Sequence, residues 1–251
     1  MSIHVAREHP REQQRIADLM RLVPKPIGTA LDVGTRDGHL ASRLADFAAQ
    51  VVAVDLELPR CSDSRVGLEV GDARRLRFED CTFDLVLCAE VLEHIPEPGM
   101  TAACRELSRV ARQYVLVGVP YRQDTRVGRM TCWSCGAKNP PWGHVNTFDR
   151  EQIEALFWDL EAVEWSFVGT TRDRTNWVSV LLNDLGGNPW GTYEQDEPCV
   201  HCGVKLVRPA TRTLSQRLAS KAAHVANELY SPFVRPRPNW VHVLFRRKSI
   251  K

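Results

Sequence analysis

Thr29-Ala-Leu-Asp-Val-Gly-Thr-Arg-Asp-Gly38 decides the fold. Ala30 to Val33 read as a buried strand, Gly34 and Gly38 bracket a turn, and Leu40, Leu44 and Phe47 then fall on one face of a helix. A second apolar run, Val51 to Val54, ends in Asp55, 23 residues after Asp32. A strand, a glycine turn, a helix and an acid closing the next strand is the arrangement by which an open α/β sheet holds a nucleoside-like ligand. The spacing Gly34-x-x-x-Gly38 lacks the further glycine that admits a pyrophosphate, which argues against a dinucleotide oxidoreductase.

Working outward, Val66 to Val70, Leu85 to Cys88 and Val115 to Val119 read as strands 3 to 5, with a helix over Thr101 to Arg112 between the last two. Such alternation predicts a parallel sheet covered on both faces. Glu57 to Arg65 is too short for a good helix. Upstream, Ile16, Leu19, Met20 and Val23 predict a helix stopped by Pro24 and Pro26. Downstream, Asp149 caps a helix running to Trp158, and Leu160 to Val168 and Trp240 to Phe245 read as the last two strands. Further helices are expected at Trp177 to Leu185 and Leu214 to Leu229, the latter with Leu214, Leu218, Val225 and Leu229 in a stripe.

Gly71-Asp72-Ala73 after strand 3 and Ala89-Glu-Val-Leu-Glu-His-Ile95 after strand 4 complete a pattern. With the first glycine turn, it resembles the class I S-adenosylmethionine (SAM)-dependent methyltransferases of the type 11 group, closely over residues 25–120 and more loosely over the last three strands. The resemblance implies a Rossmann-like seven-stranded sheet of order 3-2-1-4-5-7-6 with strand 7 antiparallel, in one domain spanning residues 1–251. It also implies cofactor roles. The turn from Asp32 through Gly34 to Gly38 would cradle the methionine moiety of SAM, Asp55 would take the ribose hydroxyls, Asp72 and Ala73 would meet the adenine, and Glu90 would lie beneath the donor sulfur. Arg36 stands where the family commonly has glycine, so its side chain must crowd the cofactor or point outward.

Two insertions, residues 121–147 and 170–238, interrupt the later half, and each carries one Cys-x-x-Cys-Gly: Cys132, Cys135, Gly136 and Cys199, Cys202, Gly203. Two such pairs supply the four thiolates of a structural zinc site. A ribbon separates its pairs by about 15 to 20 residues, whereas 63 lie between Cys135 and Cys199. The expected strand order answers this, because both insertions leave the same sheet edge with only one strand between them, about 10 Å apart. A zinc-bound lid is the expectation; disulfides or a redox pair are the rivals. Four thiolates fill the coordination sphere, so a catalytic zinc is not expected. Cys61, Cys81, Cys88 and Cys104 read as buried small hydrophobes, and Trp133, Trp142, Trp177, Trp190 and Tyr193 as packing for the zinc-bound core.

Methyl transfer to oxygen or nitrogen is an in-line displacement that mainly requires alignment and exclusion of water. His94 and His144 are the candidate bases for a hydroxyl acceptor, against the plainer alternative that they brace loops. The layout favours a sugar or other small-molecule or glycan hydroxyl. An RNA methyltransferase using its zinc module to hold substrate, and a non-catalytic SAM-binding regulator, are the alternatives. A net charge of +2 over 251 residues, with 43% hydrophobic and 25% charged side chains, predicts a well-buried core and no obligatory nucleic-acid or membrane partner. No signal peptide or membrane-span pattern is read near Met1, so a reducing cytoplasm is expected.

Overall fold

The structure is a computed structural model that describes residues 9–248. The extreme N-terminus, where the absence of a leader was read, lies outside the described residues. The chain forms two compact units. The larger comprises residues 9–121, Phe148–Gly169 and 238–248; the smaller comprises Arg122–Thr147 and Thr170–Arg237.

The larger unit is built on a seven-stranded sheet. In chain order its strands are β1 (Ile27–Val33), β2 (Ala48–Asp55), β3 (Val66–Val70), β4 (Phe83–Ala89), β5 (Ala111–Pro120), β8 (Leu160–Val168) and β9 (Trp240–Arg247). Two short strands of the smaller unit, β6 (Met130–Thr131) and β7 (Lys138–Asn139), pair with each other. The sheet order is β3-β2-β1-β4-β5-β9-β8, with β1 to β5 parallel and β9 antiparallel to both neighbours. It differs from the expected labels in its last two places because β6 and β7 intervene in the chain.

β4 is buried along its whole length, because a parallel strand covered on both faces has no solvent side. One face carries Leu31, Val33, Val86, Cys88, Val115 and Val117 against α3 (Gly99–Val110); the other carries Ala30, Leu85, Leu87 and Leu116 against α1 (Pro10–Leu22) and α2 (His39–Leu44). α1 turns Ile16, Leu19 and Leu22 inward, together with a charged residue that the apolar spacing does not single out, Arg15. α4 (Arg150–Leu156) starts at Asp149, whose carboxylate accepts from the Gln152 amide while the Gln152 side chain accepts from the Asp149 amide.

The smaller unit has a compact centre of Met130, Cys132, Tyr193, Cys199 and Leu206. Two antiparallel helices pack beside one another, α5 (Trp177–Leu185) and α6 (Leu214–Tyr230). Several expectations fail here. Of the five aromatic residues assigned to the zinc-bound core only Tyr193 is buried, and Trp133, Trp142, Trp177 and Trp190 are exposed. In the larger unit Cys88 and Cys104 are buried as expected, but Cys61 and Cys81 lie in loops and are only partly covered, Cys61 at the edge of the core against Gly38.

Candidate active site and cysteine cluster

The carboxyl ends of β1, β2, β3 and β4 gather the residues singled out in the larger unit. β1 delivers Asp32, buried, whose carboxylate accepts from the Thr35 hydroxyl at 2.6 Å and so fixes the turn that follows. Gly34 has φ +75° and Gly38 φ +74°. A Cβ on Gly34 would sit 2.2 Å from Val91 Cγ2, and one on Gly38 would sit 2.3 Å from Cys61 Cβ, so both glycines are required by conformation and by space.

Arg36, between them, also takes left-handed backbone, at φ +56°. Its side chain is exposed, and its amide donates to Asp55 Oδ2 at 2.7 Å, while the Leu56 amide donates to Oδ1 at 2.7 Å. Asp55 thus ties the β1 turn to the end of β2. Each carboxylate oxygen keeps a second lone pair, the capacity that two ribose hydroxyls would use.

Asp72 follows β3 and accepts from the amide, Nε and Nη2 of Arg74, whose guanidinium holds the Asp72 carboxyl below the usual carboxylate range. Ala73 is buried beside it. Glu90 ends β4 at φ +58°; its amide donates to the Gly118 carbonyl at 2.9 Å and its Oε2 accepts from Trp240 Nε1 at 3.2 Å.

Around Glu90 lies a group of buried polar atoms that comes from distant parts of the chain. Glu90 Oε1, both carboxylate oxygens of Glu93, Arg15 Nη1 and His242 Nε2 are buried with no hydrogen-bond partner among the described residues. Burial raises the Glu90 and Glu93 carboxyls, Glu93 strongly, and the Arg15 cation partly counters this at each. His242, on β9, leans across Gly118, where a Cβ would lie 3.1 Å from His242 Cδ2. Its Nδ1–H bonds Asp18 Oδ2 at 2.7 Å, which leaves Nε2 as the acceptor. Burial lowers the His242 pKa. Sequence reasoning missed Arg15, Asp18, Trp240 and His242, because α1 and β9 meet β4 only through the sheet order. The one legible signal was a charged residue, Arg15, on the apolar face of α1.

The donor-poor, acidic end of β4 is suited to a ligand that brings positive charge and hydrogen-bond donors. SAM, with an ammonium, a sulfonium and two ribose hydroxyls, fits that requirement. Of the two candidate bases, His94 closes a single 3₁₀ turn (Leu92–His94) directly after Glu93. His144 belongs to the smaller unit, is buried, and its Nδ1 lies 2.6 Å from Gln123 Oε1, a contact that orients the ring within that unit.

The smaller unit brings all four thiols of Cys132, Cys135, Cys199 and Cys202 within 4.8 Å of one another. The Cys132–Cys202 and Cys135–Cys199 sulfurs are 3.7 Å apart. A disulfide needs about 2.05 Å, whereas a tetrahedron with metal–sulfur distances of about 2.3 Å has edges of about 3.8 Å. The two loops repeat one another. Cys132 N donates to Ala137 O at 2.9 Å and Gly136 N to Cys132 O at 2.8 Å; Cys199 N donates to Val204 O at 2.9 Å and Gly203 N to Cys199 O at 2.8 Å. Gly136 (φ +75°) and Gly203 (φ +72°) close the turns that aim the sulfurs inward. Asn139 ties the halves together by accepting from the Val200 amide at 2.9 Å. The donor set and spacing fit zinc.

Comparison with known proteins supplies the decisive observation for the larger unit. Residues 31–116 match the methyltransferase domain family. The matched segment begins in β1 and ends in β5, so it contains Asp32, Asp55, Asp72, Glu90 and Glu93 and none of the four clustered cysteines. The ubiquinone biosynthesis O-methyltransferase of Hahella chejuensis is 38% identical over 90 residues, which are 32% of this chain and 38% of that protein. The demethylmenaquinone methyltransferase of Roseiflexus castenholzii is 32% identical over 107 residues, 39% of this chain and 44% of that one. The chain thus spans less than half the length of these curated relatives. The crystal structure of the N-methyltransferase NodS from Bradyrhizobium japonicum covers 97% of this chain and 99% of its own, at TM-score 0.57 and 15% identity. That likeness shows that the two chains share a fold. Neither insertion is matched by the family.

Proposed function

We propose that the protein transfers a methyl group from SAM to a hydroxyl of a small molecule or glycan. The observation that carries this reading is the carboxyl rim itself: a methyltransferase segment whose two required glycines, Asp55 and Glu90 stand at the ends of adjacent parallel strands. SAM supplies an electrophilic methyl on a sulfonium. Gly34 and Gly38 with Asp32 would accommodate its methionine end, Asp55 would accept from the ribose, Asp72 and Ala73 would border the adenine, and Glu90 would favour the positive sulfur. Because the displacement needs little covalent help, the side chains align, exclude water and receive one proton. His94 and His144 are the residues proposed to receive it.

The name of the first relative, a ubiquinone biosynthesis O-methyltransferase, supports a second acceptor, a hydroxyl of a quinone-type molecule. Calorimetry with SAM and S-adenosylhomocysteine, followed by transfer of labelled methyl to a sugar panel and to a quinol, tests both. Absence of SAM binding would remove the reading; binding without any transfer would leave a SAM-responsive regulator.

The four cysteines are proposed to hold one structural zinc, leaving acceptor selection to the unit they stabilise. The two repeated knuckles and the sulfur spacing support this, and metal analysis of the purified protein tests it.

A further inference from the structure

We propose that the hairpin of α5 and α6 is an interfacial anchor for an anionic lipid surface. The two helices pack through small residues. Ser179, Ser220 and Ala223 are their buried positions, and a Cβ on Gly186 would come within 2.2 Å of Ser220 Oγ. Asn176 Nδ2 donates to the Ala226 carbonyl at 3.2 Å and fixes the pairing.

The large apolar side chains point the other way. Trp177, Leu181 and Leu185 on α5 are exposed, as are Leu214, Leu218, Val225 and Leu229 on α6. At about 100° per residue these α6 residues share a sector of about 60°, so they form a stripe rather than scattered surface leucines. Small residues between helices and large apolar ones outside is the reverse of a water-facing hairpin. It is how helices pack when the surrounding medium is itself apolar.

Charge selects the occupant. From Gly203 to Arg237 the chain carries seven Lys and Arg against one acid, Glu228, a local charge of +6 in a chain whose total is +2. Arg217 and Lys221 lie exposed beside the apolar stripe, where long basic side chains can reach phosphates while leucines enter the acyl boundary. A second copy meeting this face symmetrically would set like charges together. RNA is met by aromatic platforms, not by an aliphatic stripe. With 17 residues α6 is about 25 Å long, and no described helix is long and apolar enough to cross a membrane, so the hairpin would lie in the interface plane.

Vesicle flotation of the full chain tests this, using phosphatidylcholine alone and mixed with phosphatidylglycerol. Binding is expected on mixed vesicles, weak on neutral ones, and falling steeply with salt. Leu214→Ser/Leu218→Ser/Leu229→Ser should lower partitioning at least about tenfold. Arg217→Glu/Lys221→Glu should do so on mixed vesicles only, by about tenfold or more. Both should keep the parent's helical circular dichroism, metal content and SAM affinity. If the triple variant fails to fold, quenching of the parent's tryptophan fluorescence by brominated lipid, reduced by Trp177→Phe, reports the same contact. Equal recovery on neutral and mixed vesicles, or no quenching, overturns the proposal. So does a dimer that the leucine variant splits, which assigns the face to a second copy, or saturable RNA binding that survives loss of the leucines.

Discussion

Arg36 offers the sharpest test of how the glycine turn after β1 is built. Its backbone sits at φ +56°, where a Cβ costs an L-residue about 1 to 2 kcal/mol that glycine does not incur. Arg36→Gly removes that strain but adds unfolded-state freedom worth about 0.5 to 1 kcal/mol. The net expectation is a gain of about 0.5 to 1 kcal/mol, or roughly 1 to 4 °C in Tm for a chain of this size. Arg36→Ala is the control, because it deletes every contact of the guanidinium while keeping the Cβ and its strain. The difference between the glycine and alanine variants therefore isolates the backbone. Denaturant unfolding monitored by circular dichroism supplies both free energies. SAM affinity of both variants should stay within about threefold of the parent, since the side chain is exposed and the Arg36 amide that donates to Asp55 is kept in both. A glycine variant no more stable than the alanine variant would refute the strain argument. An equal gain of affinity in both variants would show instead that the guanidinium crowds the ligand.

Asp55→Ala removes the proposed ribose acceptor together with the tie between β1 and β2, and should weaken SAM binding about 100-fold or more by calorimetry; a change under threefold would overturn the nucleoside assignment. One zinc per chain is expected by metal analysis, and either Cys199→Ser or a strong chelator should increase proteolysis in both 122–147 and 170–237, because the ligands come from both segments. Burial works to raise the Asp18 carboxyl but is outweighed by the hydrogen bonds from His242, Ser166 and Arg21, which bring its pKa to about 2. A depressed carboxylate stabilises the fold above its unfolded value near 3.8 and loses that contribution as pH falls through about 2, so Asp18→Asn should flatten the acid unfolding profile by about 1 to 2 kcal/mol. His94→Ala and His144→Ala are expected to separate base from brace: loss of the base abolishes the acidic limb of the turnover profile, whereas loss of a brace lowers turnover evenly across pH.

The chain's local chemistry determined the strands, the glycine turn and the acids closing β2 and β3, because each depends on residues within about one turn or one strand of itself. β8 and α5 fall where the sequence places them, Leu160–Val168 and Trp177–Leu185. The paired Cys-x-x-Cys-Gly loops were legible as half-sites for the same reason. Their convergence was not local: Cys132 and Cys202 are 70 residues apart in the chain and 3.7 Å apart at sulfur. The group of Arg15, Glu90, Glu93, Trp240 and His242 is likewise a product of sheet order, since antiparallel β9 beside β5 carries Trp240 and His242 to the end of β4, under α1. Nor could periodicity say which side of α6 faces inward. The spacing put Leu214, Leu218, Val225 and Leu229 in one stripe, and the helices meet through Ser179, Ser220 and Ala223 and leave that stripe outside. Sequence spacing defines the faces of a helix; only the partner that occupies one of them decides which is the inside.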